Sequence, residues 1–231
     1  MSGSALSELL TYFTPLSALQ REEDGAVTLL TPGTNVLGFN ATYLPEGHAA
    51  TELSSTIQAW HAVHGLPLVV ATLSPLPEAR EVVEVQVGVL AQAGASDPAG
   101  RLRSQAAVVV EQISRLHLDD WSTALAQARG TPGWAAPLAR HLAGALAFQR
   151  DFVLLQAYQQ GEAVGALLWQ ARTQGGAAHL WGGAPPAAGA LLRAAAGLAG
   201  GPLWVSALPG DELTMTQASR VFFHLLNGRD G

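Results

Sequence analysis

The stretch that decides the fold runs from Arg150 to Arg193 and has the sequence RDFVLLQAYQQGEAVGALLWQARTQGGAAHLWGGAPPAAGALLR. Gln160-Gly161-Glu162 has the chemistry of a tight hairpin turn, and short polar connections of this kind favour antiparallel strands over crossover connections. A loop of small residues then leads into an Ala- and Leu-rich helix, predicted for residues 187–198. The apolar runs before that loop predict three strands, which cover residues 152–159, 163–171 and 177–183.

The remainder of the chain also predicts alternating helices and strands. In the first half we expect helices at residues 4–13 and 49–63 and strands at residues 26–32, 35–44, 66–74 and 81–90. In the second half we expect strands at residues 106–113 and 202–208 and helices at residues 118–129, 134–148 and 215–226. Helical spacing of apolar residues and β-branched runs bounded by Pro and Gly are the signals for these assignments.

A boundary between two regions is predicted near residues 92–104. This segment, QAGASDPAGRLRS, is rich in Gly, Ala, Ser and Pro and has no apolar periodicity, which is typical of a linker. We therefore expect an N-terminal α/β region over residues 1–95 and a second domain over residues 104–231. The first region has a loosely similar order of elements and is interpreted as a partial copy of the second.

The order of elements in residues 104–231 resembles the GNAT (GCN5-related N-acetyltransferase) superfamily. The resemblance implies an α/β (α+β) fold with a mixed, mostly antiparallel sheet flanked by helices. The family sheet usually ends with two further strands, whereas this chain ends after its last predicted helix. We therefore expect either the N-terminal region or a second subunit of a homodimer to complete the sheet, because an unpaired edge promotes aggregation.

The resemblance also implies a site for acetyl-CoA as co-substrate. In the family the pantetheine pairs with the fourth strand of the sheet, and the pyrophosphate lies on the following loop and helix start, bound by backbone N–H groups. The family loop begins with Gln or Arg, but no such residue begins the loop here, and Pro185 and Pro186 have no N–H to donate. We therefore expect weak acetyl-CoA binding. The residues that match the donor site are Leu180, Trp181, Gly182, Gly183, Ala187, Ala188, Gly189 and Arg193.

His179 is the candidate general base, because the resemblance implies a base on the fourth or fifth strand and an imidazole titrates near neutral pH. The same residue could equally be a structural strand histidine. The resemblance implies direct transfer of an acyl group to a small-molecule amine. The alternatives are a catalytically inactive GNAT-like binding or dimerisation module, and a ligand sensor that uses the same cleft.

Composition excludes several other classes of protein. The net charge of -6 argues against nucleic acid or an anionic membrane as a partner. The chain has no Cys, and all twelve of its basic residues are Arg, so thiolate and lysine chemistry are excluded. His61 and His64 lie on one predicted helix face without a nearby third ligand, so no metal site is predicted. The N-terminus lacks the features of a secretory signal, and we expect a cytoplasmic protein.

Overall fold

The computed structural model describes residues 4–47, 53, 55–77, 79–91 and 107–226. Five helices lie within these residues: α1 (Ala5–Phe13), α2 (Ser55–Val63), α3 (Leu118–Ala128), α4 (Ala135–Ala145) and α5 (Pro185–Ala199). The predicted linker at residues 92–104 and the predicted start of the second helix lie outside the described residues. The proposed division into two domains therefore stays a prediction.

One mixed, mostly antiparallel sheet runs through the molecule, as the sequence predicts. The strands formed by the N-terminal half are β1 (Leu19–Glu23), β2 (Ala26–Leu30), β3 (Ala41–Tyr43), β4 (Val69–Thr72) and β5 (Arg80–Leu90). The remaining strands are β6 (Val108–Ile113), β7 (Phe152–Gln159), β8 (Glu162–Ala171), β9 (Gly176–Gly183), β10 (Leu203–Ala207) and β11 (Met215–Leu225). Their spatial order is β1-β2-β3-β4-β11-β5-β10-β9-β8-β7-β6. The predicted meander of β7, β8 and β9 is confirmed, because both pairings are antiparallel.

The order of strands has an internal two-fold pattern. The series β1-β2-β3-β4-β11 on one side of the centre matches β7-β8-β9-β10-β5 on the other, with the same sequence of antiparallel and parallel pairings. At the centre β5 pairs with β11. Each half therefore contributes its last strand to the other half. The N-terminal half completes the sheet beside β10 by supplying β5, which is one of the two outcomes expected from the sequence.

The prediction of a helix at residues 215–226 is wrong, because this segment forms β11. Its first part is mostly exposed, and it becomes continuously buried over Val221, Phe222, Phe223 and His224, where β11 lies between β4 and β5. β-Branched and aromatic residues suit a strand that is paired on both sides. A short segment such as VFFHLL has no periodicity that separates a buried strand from a buried helix, so tertiary pairing decides.

Helices cover both faces of the sheet. On one face α1, α3 and α4 pack with the sheet into the largest core, which includes Tyr12, Trp121 and Leu142. On the other face α5 packs on β7–β10, around Leu191 and Val205, and α2 packs on β4 through Ile57 and Val70. No helix in the described part of the chain is long and apolar enough to cross a membrane.

Candidate functional site

The two parallel strands β9 and β10 separate before they end. Their pairing covers only Leu203↔Gly176 to Val205↔Ala178, while β9 continues to Gly183. A bulge in the β8–β9 pairing lies between Leu168 and Gln170, at the point where the two strands part. The rest of β9, residues 179–183, therefore lacks backbone pairing to β10. This is the gap in which the resemblance places the acyl donor.

Side chains of the protein itself bridge this gap. The indole Nε1 of Trp181 donates a hydrogen bond to the carbonyl oxygen of Ser206 at 2.8 Å. The Ser206 hydroxyl donates to the carbonyl oxygen of His179 at 3.2 Å. A backbone acceptor of β9 and a backbone acceptor of β10 are thus already occupied by hydrogen bonds that cross between the strands.

Arg129, just after the end of α3, occupies a further acceptor of β9. Its Nε donates to the carbonyl oxygen of Trp181 at 2.8 Å, and its guanidinium carbon lies 4.7 Å from the centre of the Trp181 ring. Its Nη1 lies 3.2 Å from both carboxylate oxygens of Asp211. The Asp211 carboxylate also accepts from the backbone N–H of Leu208 at 2.8 Å. An ion pair whose two side chains are mostly buried, 25% and 18% exposed, therefore lies beside the gap.

The start of α5 offers few donors to a phosphate. The helix begins with Pro185 and Pro186, two residues before the predicted start at residue 187, and no side chain caps it. The N–H of Ala188 is bonded to the carbonyl oxygen of Ala184 at 2.8 Å. Since the first four N–H groups of a helix lack helical partners, only those of Ala184 and Ala187 are left to bind an anion. Ala187 itself is buried, with 1% of its surface exposed.

Arg193 bends back toward this helix start. A Cβ atom placed on Gly189 would lie 3.3 Å from its Nη1, so the guanidinium covers Gly189. The predicted glycines before the helix have different surroundings. A Cβ on Gly182 would meet Arg129 at 3.2 Å, and one on Gly183 would meet the backbone nitrogen of Ala188 at 3.1 Å. Close packing within the protein therefore accounts for glycine at both of these positions.

His179 lies under α1 and is linked to it. Its Nε2 lies 3.2 Å from Oε1 of Glu8, which also accepts a hydrogen bond from Nη2 of Arg172 at 3.0 Å. Tyr12 packs against the imidazole edge to face, with ring centres 5.0 Å apart. None of the His179 side chain is exposed to solvent. The imidazole therefore has no surface open to solvent in this structure.

The protonation state of His179 follows from these contacts. Burial lowers the pKa of His179, and the hydrogen bond and charge of Glu8 only partly oppose this. Burial also raises the pKa of Glu8, but the hydrogen bond from His179 and the positive charges nearby outweigh it, so the net shift is downward. An ionised Glu8 accepts a hydrogen bond from the protonated Nε2, which leaves Nδ1 as an acceptor. That Nδ1 atom is buried and has no hydrogen-bond partner.

A cavity of about 290 Å³ lies on the α1–α3 face, beside the gap. Its wall is mostly apolar. The polar residues that line it include Arg129, Ser206 and His179. Trp134, of which 41% is exposed, also lines it. Apolar lining residues come from α1, α4 and the central strands, for example Leu9, Phe13, Leu138, Val85 and Phe223. The cavity is therefore built from both halves of the chain.

A second, more open groove of about 750 Å³ lies on the opposite face, along α5. It is lined by Gly189, Leu192 and Arg193 of α5 and by Leu90 and Leu213 near the ends of the central strands. The first cavity is lined by Trp181 and Arg129 at the gap, whereas the groove lies along α5.

His61 has a structural role. Its Nδ1 lies 2.9 Å from the carbonyl oxygen of Pro67, and its Nε2 lies 3.0 Å from the hydroxyl of Thr42, which in turn lies 2.9 Å from that of Thr28. A carbonyl can only accept, so Nδ1 carries the proton and Nε2 accepts from Thr42. Among the described residues, no cluster of three His, Cys, Asp or Glu side chains could hold a metal ion.

Sequence reasoning missed Glu8, Arg129 and Asp211. Arg129 and Asp211 are 82 residues apart, and Glu8 and His179 are 171 residues apart. No local motif surrounds any of them. Only the packing of α1 and α3 on the sheet brings them to β9.

Comparison with known proteins supports the fold and nothing finer. No family model matches the chain, and no curated protein matches it. A conserved protein of unknown function from Staphylococcus epidermidis superposes with a TM-score of 0.60 at 11% identity, covering 93% of this chain and 98% of its own. A GCN5-related N-acetyltransferase from Kribbella flavida superposes with a TM-score of 0.56 at 16% identity, covering 99% of this chain and 98% of its own. The protein therefore has a GNAT-like fold over its whole length.

Proposed function

We propose that this protein is a GNAT-like small-molecule-binding protein that does not transfer acyl groups from acyl-CoA. One observation carries the proposal. The gap between β9 and β10 is bridged by the chain's own Trp181, Ser206 and Arg129, whose hydrogen bonds occupy carbonyl oxygens of both strands.

The donor side of the site does not fit an acyl-CoA. A pantetheine amide that takes the place of Arg129 at the carbonyl of Trp181 would break the hydrogen bond from Nε of Arg129. Hydrogen bonds to charged groups contribute roughly 1.5–3 kcal/mol each, so this displacement would consume much of the binding free energy. At the other end of the ligand, two prolines remove two of the N–H donors that would bind the pyrophosphate.

The acceptor side does not present an accessible base. A general base must come within hydrogen-bonding distance of the proton that it removes. The imidazole of His179 is completely buried and donates to Glu8, and its free Nδ1 has no exposed surface. For His179 to act on an amine, α1 would have to move away from β9.

Acyl transfer from acyl-CoA to an amine is the second candidate function. It is favoured by the early end of the β9–β10 pairing and by the position of Arg193 over Gly189 at the helix start. In that case Arg193 would be the cation closest to a phosphate at this helix start. His179 would be the general base of the reaction after a rearrangement of α1.

A transfer assay distinguishes the two functions. The purified protein is mixed with acetyl-CoA and a panel of small primary amines, and release of the free CoA thiol is followed over time. We expect the rate of thiol release with the protein to equal that of a blank without protein. Release that scales with protein concentration and is lost in Arg193→Ala would overturn the proposal. Because Arg193 is exposed, the variant should retain the wild-type fold, which its melting temperature checks.

The homodimer expected from the sequence remains a proposal. The edge of β10 is covered by β5, so a second subunit is not needed there. In the described part of the chain, the free edges of the sheet are β1 and β6. Light scattering coupled to size-exclusion chromatography would give the oligomeric state directly.

A further inference from the structure

The charges around the cavity between α1 and α3 limit what it can bind. The residues that line it include no Asp or Glu, and Arg129 is the ionised residue among them. His179 also lines the cavity, and burial lowers its pKa, so it is neutral at pH 7. An ammonium ion placed there would lose its hydration without a carboxylate in the cavity wall to replace it. The cavity is thus unsuited to the protonated amines that the sequence resemblance implies.

Arg129 retains hydrogen-bond donors for a ligand. Its Nε bonds to the carbonyl of Trp181 and its Nη1 to Asp211, whereas Nη2 makes no hydrogen bond to the described residues. A guanidinium carries five N–H donors, so the two on Nη2 are left over. Because Asp211 already balances the charge of Arg129, a ligand needs to supply only a hydrogen-bond acceptor and no net negative charge.

We infer that the cavity binds an uncharged, largely apolar small molecule that has a carbonyl acceptor, such as a primary or secondary amide. This inference rests on the proposed function as a binding protein. The apolar part contacts the side chains of α1, α4 and β5, and the carbonyl accepts from Nη2 of Arg129. A volume of about 290 Å³ lies at the lower end of ligand sites, which fits a single ring or a short chain.

Three probes that share an aromatic body test the charge preference. Phenylacetamide is neutral, phenylacetate is anionic and phenethylamine is cationic at pH 7, and binding to the full chain is measured by NMR chemical-shift titration. We expect phenylacetamide to bind at least tenfold more tightly than phenethylamine and more tightly than phenylacetate. Trp134→Ala should weaken amide binding several-fold, because Trp134 lines the cavity. The matched control Phe148→Ala removes an aromatic side chain that is 92% exposed and does not line the cavity, so it should leave the affinity unchanged.

The Asp211→Asn variant tests the role assigned to charge balance. Removing the carboxylate leaves the charge of Arg129 uncompensated, so the affinity for phenylacetate should rise relative to phenylacetamide by about tenfold. An unchanged ratio would overturn the inference, as would binding of none of the three probes or a preference for phenethylamine. A preference for phenethylamine would leave the proposed binding function standing, whereas turnover of acetyl-CoA in the transfer assay would overturn that function.

Discussion

Replacing Glu8 by Ala tests whether the contacts beneath α1 hold this helix on the sheet. The carboxylate accepts from Arg172 at 3.0 Å and from His179 at 3.2 Å. Two hydrogen bonds to a charged group contribute roughly 1.5–3 kcal/mol each when they are buried. The side chains of Glu8 and Arg172 are 16% and 20% exposed, so water replaces part of the lost interaction. We therefore expect Glu8→Ala to lower the free energy of unfolding by about 2–4 kcal/mol.

The assay is equilibrium unfolding in urea at pH 7.5, followed by circular dichroism. Glu8→Gln keeps an oxygen acceptor and loses only the charge, so it should cost about 1 kcal/mol. Glu22→Ala is the matched control, because Glu22 is exposed on β1 and its replacement should change stability by no more than about 0.5 kcal/mol. The reasoning is refuted if Glu8→Ala differs from Glu22→Ala by less than about 0.5 kcal/mol.

Two further predictions concern the backbone and the dependence on pH. Gly175→Ala should cost more than about 3 kcal/mol of unfolding free energy, because φ is +89° and a Cβ would overlap the carbonyl of Pro202. Gly210→Ala is the control, because φ is also positive there, at +96°, but open space surrounds the residue, and it should cost about 1 kcal/mol. Equal losses for the two variants in urea unfolding would contradict the overlap at Gly175. Burial lowers the pKa of His61 below 6.5, so its stabilising contribution is present above pH 6.5 and is lost as the pH falls through the folded-state pKa. His61→Gln should therefore flatten the loss of stability between about pH 7 and 5 in urea unfolding.

Local sequence signals predicted the parts of the fold that local chemistry determines. The hairpin at Gln160-Gly161 appears as expected, because turn residues restrict the backbone wherever they occur, whereas α5 begins two residues earlier than predicted, at Pro185. β1 escaped prediction because LQREE is mostly polar, and an edge strand needs only backbone pairing to β2. β11 was predicted as a helix because its pairing partners, β4 and β5, lie far away in the sequence.

The contacts of the candidate site were not predictable from the sequence. The sequence indicated that β9 and the loop after it would form the donor region, and that the prolines would weaken it. It gave no sign that Arg129 would occupy the Trp181 carbonyl, since that contact depends on how α3 packs on the sheet. The burial of His179 likewise depends on α1, whose contact with β9 joins opposite ends of the chain.

Isothermal titration of the wild-type protein with acetyl-CoA tests the central claim most directly, namely that the protein's own side chains occupy the donor gap. We predict a dissociation constant no tighter than the upper micromolar range, which corresponds to about -5 to -6 kcal/mol. Micromolar or tighter binding that is abolished by Gly189→Glu would contradict the claim, because it would show that acetyl-CoA displaces Arg129 and binds at the start of α5.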